Sequence, residues 1–136
     1  MEYFTIEELC ASETARSRGI ANRPTEAVRE RLVQLIENLL DPLRAAWGTP
    51  IAVNSGYRCP QLNAAVGGVS TSQHLKGEAA DITAGSPTAN RRLFATIREL
   101  HRSGRLVFDQ LIDEADYRWI HISYRAGANR GQVLHL

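Results

Sequence analysis

Apolar residues recur at two different periods along this chain, and the change of period limits its fold more than any other feature. Val28, Leu32, Leu35, Ile36, Leu39 and Leu43 follow one another mostly at three- and four-residue steps, the spacing of one helix face. From Trp119 to Tyr124 the pattern alternates instead. Ile120, Ile122 and Tyr124 fall on one side and Trp119, His121 and Ser123 on the other, as in a half-buried strand. A chain holding both patterns must pack helices on a sheet, so the predicted class is α+β, with helices on one face of a small, mainly antiparallel sheet. With 136 residues, 43% of them hydrophobic, the chain can bury one core, and a single domain over residues 1–136 is expected.

Local signals divide the chain further. Thr5-Ile-Glu-Glu8 has capping-box spacing and predicts a short helix from about residue 6. The polar stretch Ser12 to Arg23 reads as a loop, and Pro24-Thr25 opens the helix that carries the apolar stripe. Pro42 falls inside that stripe and must kink or restart it, because proline lacks the amide donor and clashes with the preceding turn. Ile51 to Asn54 predicts a buried strand. A glycine-punctuated polar segment follows, mostly loop, with one helical turn at Gln61 to Val66. Ala79 to Thr83 predicts a strand, and Ser86-Pro87 a helix reaching about Ser103-Gly104. Val107 to Asp113, a polar connection Glu114 to Arg118, and Trp119 to Tyr124 together predict an antiparallel hairpin.

Charge and cysteine usage exclude several functions. Sixteen Lys and Arg against fifteen Asp and Glu leave a net charge of +1, without the basic field that nucleic acid binding needs. Cys10 and Cys59 form no CxxC pair and are expected to be reduced thiols. The amino terminus lacks the basic and apolar regions of a signal peptide, and no apolar run approaches the roughly 18 residues of a membrane span. A soluble monomer made in the cytoplasm, without membrane insertion, is the expectation.

The densest polar cluster is Ser72-Gln-His-Leu-Lys-Gly-Glu-Ala-Ala-Asp81. A turn at Lys76-Gly77 can bring His74 back toward Asp81 on the following strand. Zinc accepts imidazole nitrogen and carboxylate oxygen, and a catalytic zinc uses three protein ligands. His121 is the best third candidate, because its strand neighbours Ile120 and Ile122 face the core and turn it toward a cleft. Spacing alone leaves another reading open: a strand histidine is often a hydrogen-bonded structural residue, and Asp81 can cap a turn. His101, near a helix end, and His135, in an apolar tail, read as structural.

Four segments in order decide between these readings. Ser55-Gly-Tyr-Arg-Cys-Pro-Gln-Leu-Asn63, Val66-Gly-Gly68, Ser72 to Ile82 and Trp119-Ile-His-Ile-Ser123 together resemble the zinc D-alanyl-D-alanine carboxypeptidase-like family. That family includes D,D-carboxypeptidases, D,D-dipeptidases and phage L-alanyl-D-glutamate endolysins. The resemblance implies a Zn2+ peptidase acting on the stem peptides of bacterial peptidoglycan, with His74, Asp81 and His121 as metal ligands. It assigns Arg58 to a substrate carboxylate or carbonyl oxygen, a task suited to the guanidinium's fixed fork of donors. Tyr57, Ser72 and Gln73 are expected beside the substrate, the last two also orienting the loop that carries His74.

The general base departs from the family pattern. Many relatives carry an acid three positions before the last zinc histidine, where this chain has Arg118, and an arginine cannot take up a proton at neutral pH. Glu114 and Asp116 are the substitutes, Glu114 being preferred because Gln110 to Glu114 followed by Trp-x-His resembles one subgroup. Asp113 would point to the opposite face. Without a signal peptide, a phage or prophage lysin is the favoured setting. A binding module that keeps the fold without turnover is the alternative that Arg118 leaves standing.

Overall fold

The computed structural model describes residues 1–136. Helices α1 (Ile6–Cys10) and α2 (Glu13–Arg18) lead into a long helical stretch made of α3 (Glu26–Leu35), a π-helical turn (Ile36–Leu40) and α4 (Asp41–Trp47). Strand β1 (Ala52–Ser55), helix α5 (Pro60–Ala65), a 3-10 turn (Gln73–Lys76) and β2 (Ala79–Thr83) follow. Helix α6 (Pro87–Arg102) then precedes β3 (Gln110–Glu114), β4 (Trp119–Ser123) and β5 (Gln132–His135). The strands form one sheet in the order β1-β2-β4-β3-β5. Every neighbouring pair is antiparallel except β3 and β5, which run parallel. The fold is α+β, and no helix is long and apolar enough to cross a membrane.

The apolar stripe does what its spacing dictates. Val28, Leu32, Leu35, Ile36, Leu39, Leu40 and Leu43 are buried and join Ala80, Ile82, Ile120 and Ile122 of the sheet in one cluster of 26 buried residues. Pro42 restarts the helix: its missing amide is absorbed by the wider π turn before it, and Pro42 lies at the start of α4. Asp41, beside it, accepts from the amides of Glu2, Tyr3 and Phe4 and so ties down the amino terminus.

Four expectations need correction. The strand expected to be buried at Ile51 to Asn54 is β1 at the sheet edge, its residues alternately exposed and half-buried, with only Ile51, just before it, buried. The stretch Ser12 to Arg23 is not all loop, because the Ser12 hydroxyl caps a six-residue helix by accepting from the amide of Ala15. The apolar tail that carries His135 is an edge strand over residues 132–135, with Gln132 opposite Gln110 and His135 opposite Asp113. The strand expected from Val107 begins only at Gln110.

The β3–β4 hairpin closes through Ala115, Asp116 and Tyr117, all with positive φ (50°, 55° and 64°). Left-handed backbone is unfavourable for residues with a Cβ, so something must hold it. Fully buried Asn90 of α6 does so: its amide nitrogen donates to the carbonyls of Tyr117 (2.9 Å) and Arg118 (3.2 Å), while its oxygen accepts from the amide of Ala84 (2.6 Å).

Candidate metal centre and its cleft

Antiparallel pairing places Asp81 of β2 directly opposite His121 of β4. The 3-10 turn after Ser72 delivers His74 to the same point, and Gly77 (φ 76°) ends that turn against Val28, where a Cβ would come within 2.9 Å of the Val28 carbonyl oxygen. His74 Nε2 and His121 Nδ1 each lie 3.3 Å from Asp81 Oδ1. The two rings meet edge to face, their centroids 5.2 Å apart. One ligating atom from each of the three residues can be chosen so that all lie within 4.8 Å of one another.

His74 is almost fully buried, and its Nδ1 lies 2.7 Å from the carbonyl oxygen of Gly56. A carbonyl only accepts, so Nδ1 carries the proton and the lone pair sits on Nε2, facing Asp81. Asp81 Oδ1 is buried and has no hydrogen-bond partner. The flanking nitrogens are close to it but not aligned to donate. Burial raises the proton affinity of this carboxyl; an imidazole N–H or positive charge turned toward it more than offsets that and lowers the group below the usual carboxylate range, and a bound cation acts in the same direction. A buried, ionised oxygen without a donor, between two imidazoles, is costly unless a cation completes it. Two nitrogens and one carboxylate oxygen make a donor set suited to zinc, so the residues present fit such an ion.

The centre lies in a cleft of about 390 Å3 that also contains Arg58, Glu114, Trp119 and Gln110. Arg58 follows β1, and its guanidinium donates to Ser72 Oγ at 3.3 Å. Its Nε is buried without a partner, and burial lowers its pKa while the charges of Asp81 and Glu114 oppose that shift. Ser72 Oγ also accepts from the amide of His74, 3.2 Å away, so this serine joins Arg58 to the loop that carries His74. Glu114 ends β3 on the cleft side, where the indole Nε1 of Trp119 donates to its Oε2 at 3.2 Å.

Other candidates lie elsewhere. Asp116 is on the hairpin turn, its side chain 94% exposed and 3.7 Å from Arg91, outside the cleft. Arg118 is exposed on the same turn. Tyr57 does not border the cleft; it is packed in the hydrophobic core. Gln73, by contrast, lines the cleft, and its amide reaches Asp109 and His121 rather than bracing the His74 loop. Asp113 is on the opposite face, hydrogen-bonded to His135, and both cysteines are free thiols.

Two residues in or beside the cleft escape a reading of the sequence. Trp119 is legible as a strand partner of His121 on the same face, but nothing nearby marks it as a neighbour of Glu114. Asp109, fully buried and paired with Arg130, carries no signal, because its partner stands 21 positions away with no pattern linking the two.

The family described as Peptidase M15 matches residues 2–123 of this chain. The zinc D-Ala-D-Ala carboxypeptidase of Streptomyces albus G is 50% identical over 84 residues, which cover 61% of this chain and 32% of that protein. The chain thus corresponds to well under half the length of that relative.

Proposed function

This chain belongs to the M15 peptidase family, and from that membership we propose that residues 1–136 form one zinc-dependent peptidase unit that hydrolyses peptide bonds in the stem peptides of bacterial peptidoglycan. The observation that carries the proposal is the bare Asp81 oxygen, flanked by two imidazoles at 3.3 Å and opening on a cleft with one base and one guanidinium. The likeness to a zinc D-Ala-D-Ala carboxypeptidase supports both the metal and the substrate class.

His74 Nε2, His121 Nδ1 and an oxygen of Asp81 would hold the zinc. When bound, zinc supplies Lewis acidity that draws electrons from the scissile carbonyl and makes water a better nucleophile. Glu114 accepts the proton that the attacking water gives up and returns it to the leaving amine, so water and peptide become a carboxylate and an amine. Trp119 holds the Glu114 carboxylate by one indole hydrogen bond and leaves its other oxygen free for that task. Arg58, with an unspent Nε–H, faces negative charge in the cleft: the carboxylate of a substrate's C-terminal residue, or the carbonyl oxygen as charge builds on it.

The bond cut separates two versions of this reading. A D,D-carboxypeptidase would use Arg58 to grip a terminal carboxylate. An L-alanyl-D-glutamate endopeptidase, the specificity of phage endolysins, would have it face an internal carboxyl group.

Mass spectrometry of muropeptides after incubation with the zinc-loaded protein identifies the bond. Glu114→Gln should lower turnover by about 10²–10⁴-fold with zinc content unchanged. Full activity of that variant would remove Glu114 from its role. A wild-type protein that binds wall fragments and releases no product would establish the non-catalytic binding module instead.

A further inference from the structure

Gln73 connects the metal centre to a second polar cluster that the chemistry above leaves unused. Its amide nitrogen donates to Asp109 Oδ2 at 2.8 Å, and its amide oxygen lies 3.5 Å from His121 Nε2, at the long limit of a hydrogen bond. Asp109 has no exposed surface. Arg130 clamps it from the other side, with Nε at 2.9 Å and the main-chain amide at 3.0 Å from Oδ1, and a terminal nitrogen at 2.9 Å from Oδ2.

The order of donors and acceptors along this chain of contacts is forced. Arg130 only donates, so Asp109 stays ionised and only accepts; the Arg130 hydrogen bonds hold its carboxyl down at about 2, against the opposing effect of burial. An acceptor-only partner takes the NH2 end of Gln73, and the amide cannot flip without setting its oxygen against a carboxylate. Oε1 is therefore the end turned to His121. Oxygen accepts, so His121 Nε2 must be the protonated nitrogen, and the lone pair falls on Nδ1, the atom 3.3 Å from Asp81.

We propose that the Asp109–Arg130 pair is a positioning device for the metal centre: it fixes the polarity of the Gln73 amide, and through it selects Nδ1 of His121 as the ligating nitrogen. The proposal rests on the reading of His74, Asp81 and His121 as the metal site. Arg130 lies outside the family match, which ends at residue 123, as does β5. The segment is docked beside Asp109 by the amides of Gly131 and Gln132, which donate to the carbonyls of Phe108 (3.0 Å) and Asp109 (2.9 Å). A metal ligand of the family core is thus oriented from a part of the chain that the family match does not include.

The test combines imidazole nitrogen NMR on metal-free protein with zinc affinity measured against a chromophoric chelator. In wild type, His121 should be the Nε2–H tautomer. Gln73→Leu should mix the tautomers and weaken zinc binding by about 10–100-fold, the usual effect of removing an outer partner of a ligand. Gln73→Glu should also weaken it, by setting two carboxylates against each other. Adding Asp109→Asn to Gln73→Glu restores the order on the Gln73 side: the introduced amide nitrogen donates to the introduced carboxylate and its oxygen still accepts from Arg130 Nε and main-chain amide, at the loss of the bond from the Arg130 terminal nitrogen to the former Oδ2, and the double variant should recover part of the lost affinity and the single tautomer. A double variant no better than Gln73→Glu, with circular dichroism showing all variants folded, overturns the proposal. So does an Nδ1–H tautomer in wild type or an unchanged tautomer in Gln73→Leu. Failure of wild type to bind zinc would count against the metal site itself, while the metal-free spectra would still decide the positioning claim.

Discussion

His74 and His121 stand at the same 3.3 Å from one carboxylate oxygen, yet the regions that hold them are built differently. On the loop side, His74 is fixed by main chain: Gly56 takes its Nδ1–H, its own carbonyl accepts from the amide of Arg58, and the surrounding loop is pressed against Leu9. On the sheet side, His121 depends on side chains, an amide held by a carboxylate that is held in turn by an arginine. A main-chain carbonyl persists through every substitution and cannot lose its polarity. A relay of side chains can be broken at any member and can be titrated. The first region should therefore fail through folding, and the second through metal affinity with the fold intact.

The largest effect belongs to the residue common to both regions. Asp81→Asn replaces the shared anionic oxygen with a neutral amide, and zinc retention and turnover should both fall by orders of magnitude, read by metal analysis of the purified protein and by muropeptide release. A variant that keeps its zinc would mean that the two imidazoles are not paired through this carboxylate at all.

Gly56→Ala comes next and strikes only the loop side. A Cβ there would sit 2.1 Å from the carbonyl oxygen of Leu9, and since main chain cannot rotate out of the way, the cost should exceed the roughly 1–3 kcal/mol of ordinary overpacking. Thermal denaturation should show a much lower melting temperature or no cooperative fold. A wild-type melting curve would show that the loop yields easily and that the main-chain support is no stiffer than the relay.

Acid sharpens the contrast, because only the sheet-side support carries a titrating group. Asp109 has its carboxyl lowered from 3.8 to about 2 in the folded chain, chiefly by the Arg130 side chain. A depressed carboxyl binds fewer protons folded than unfolded, so its stabilisation is complete above the unfolded value and disappears as pH falls through the folded one. Urea denaturation of wild type and Asp109→Asn should show the wild-type advantage shrinking between about pH 4 and pH 2. A difference independent of pH across that window would indicate that Asp109 is not ionised in the folded protein and does not fix the polarity of the Gln73 amide.

What can be read from the residues alone follows the same division. Short-range patterns carry far: the stripe from Val28 to Leu43 is the helical part of the core, and the alternation around His121 puts it on the face opposite buried Ile120 and Ile122. Contacts between distant segments are not legible. Strand β5 pairs in parallel with β3, so no hairpin turn announces it, and its half-buried residues show no clear alternation. Helix α2 buries only Ala15 and therefore has no apolar stripe to betray it. Asp109 and Arg130 meet only because β5's approach brings them together. The choice between Glu114 and Asp116 depends on three consecutive left-handed residues, a conformation that glycine usually signals and that here is imposed by Asn90 from another helix.

That turn supplies the smallest prediction. Glu114 is the last residue of β3 and still shares the face on which Ile112 borders the cleft, whereas Asp116 lies in the left-handed segment with its carboxylate in solvent. Asp116→Asn should leave turnover and zinc content unchanged, and its loss of the 3.7 Å contact with Arg91 should cost no more than the roughly 0–1 kcal/mol of an exposed ion pair. An inactive Asp116→Asn with normal stability would require the turn to swing two residues inward when substrate binds. The base would then reside on the one strained, side-chain-clamped segment of the hairpin, and Asn90 rather than the sheet would become the support on which catalysis depends.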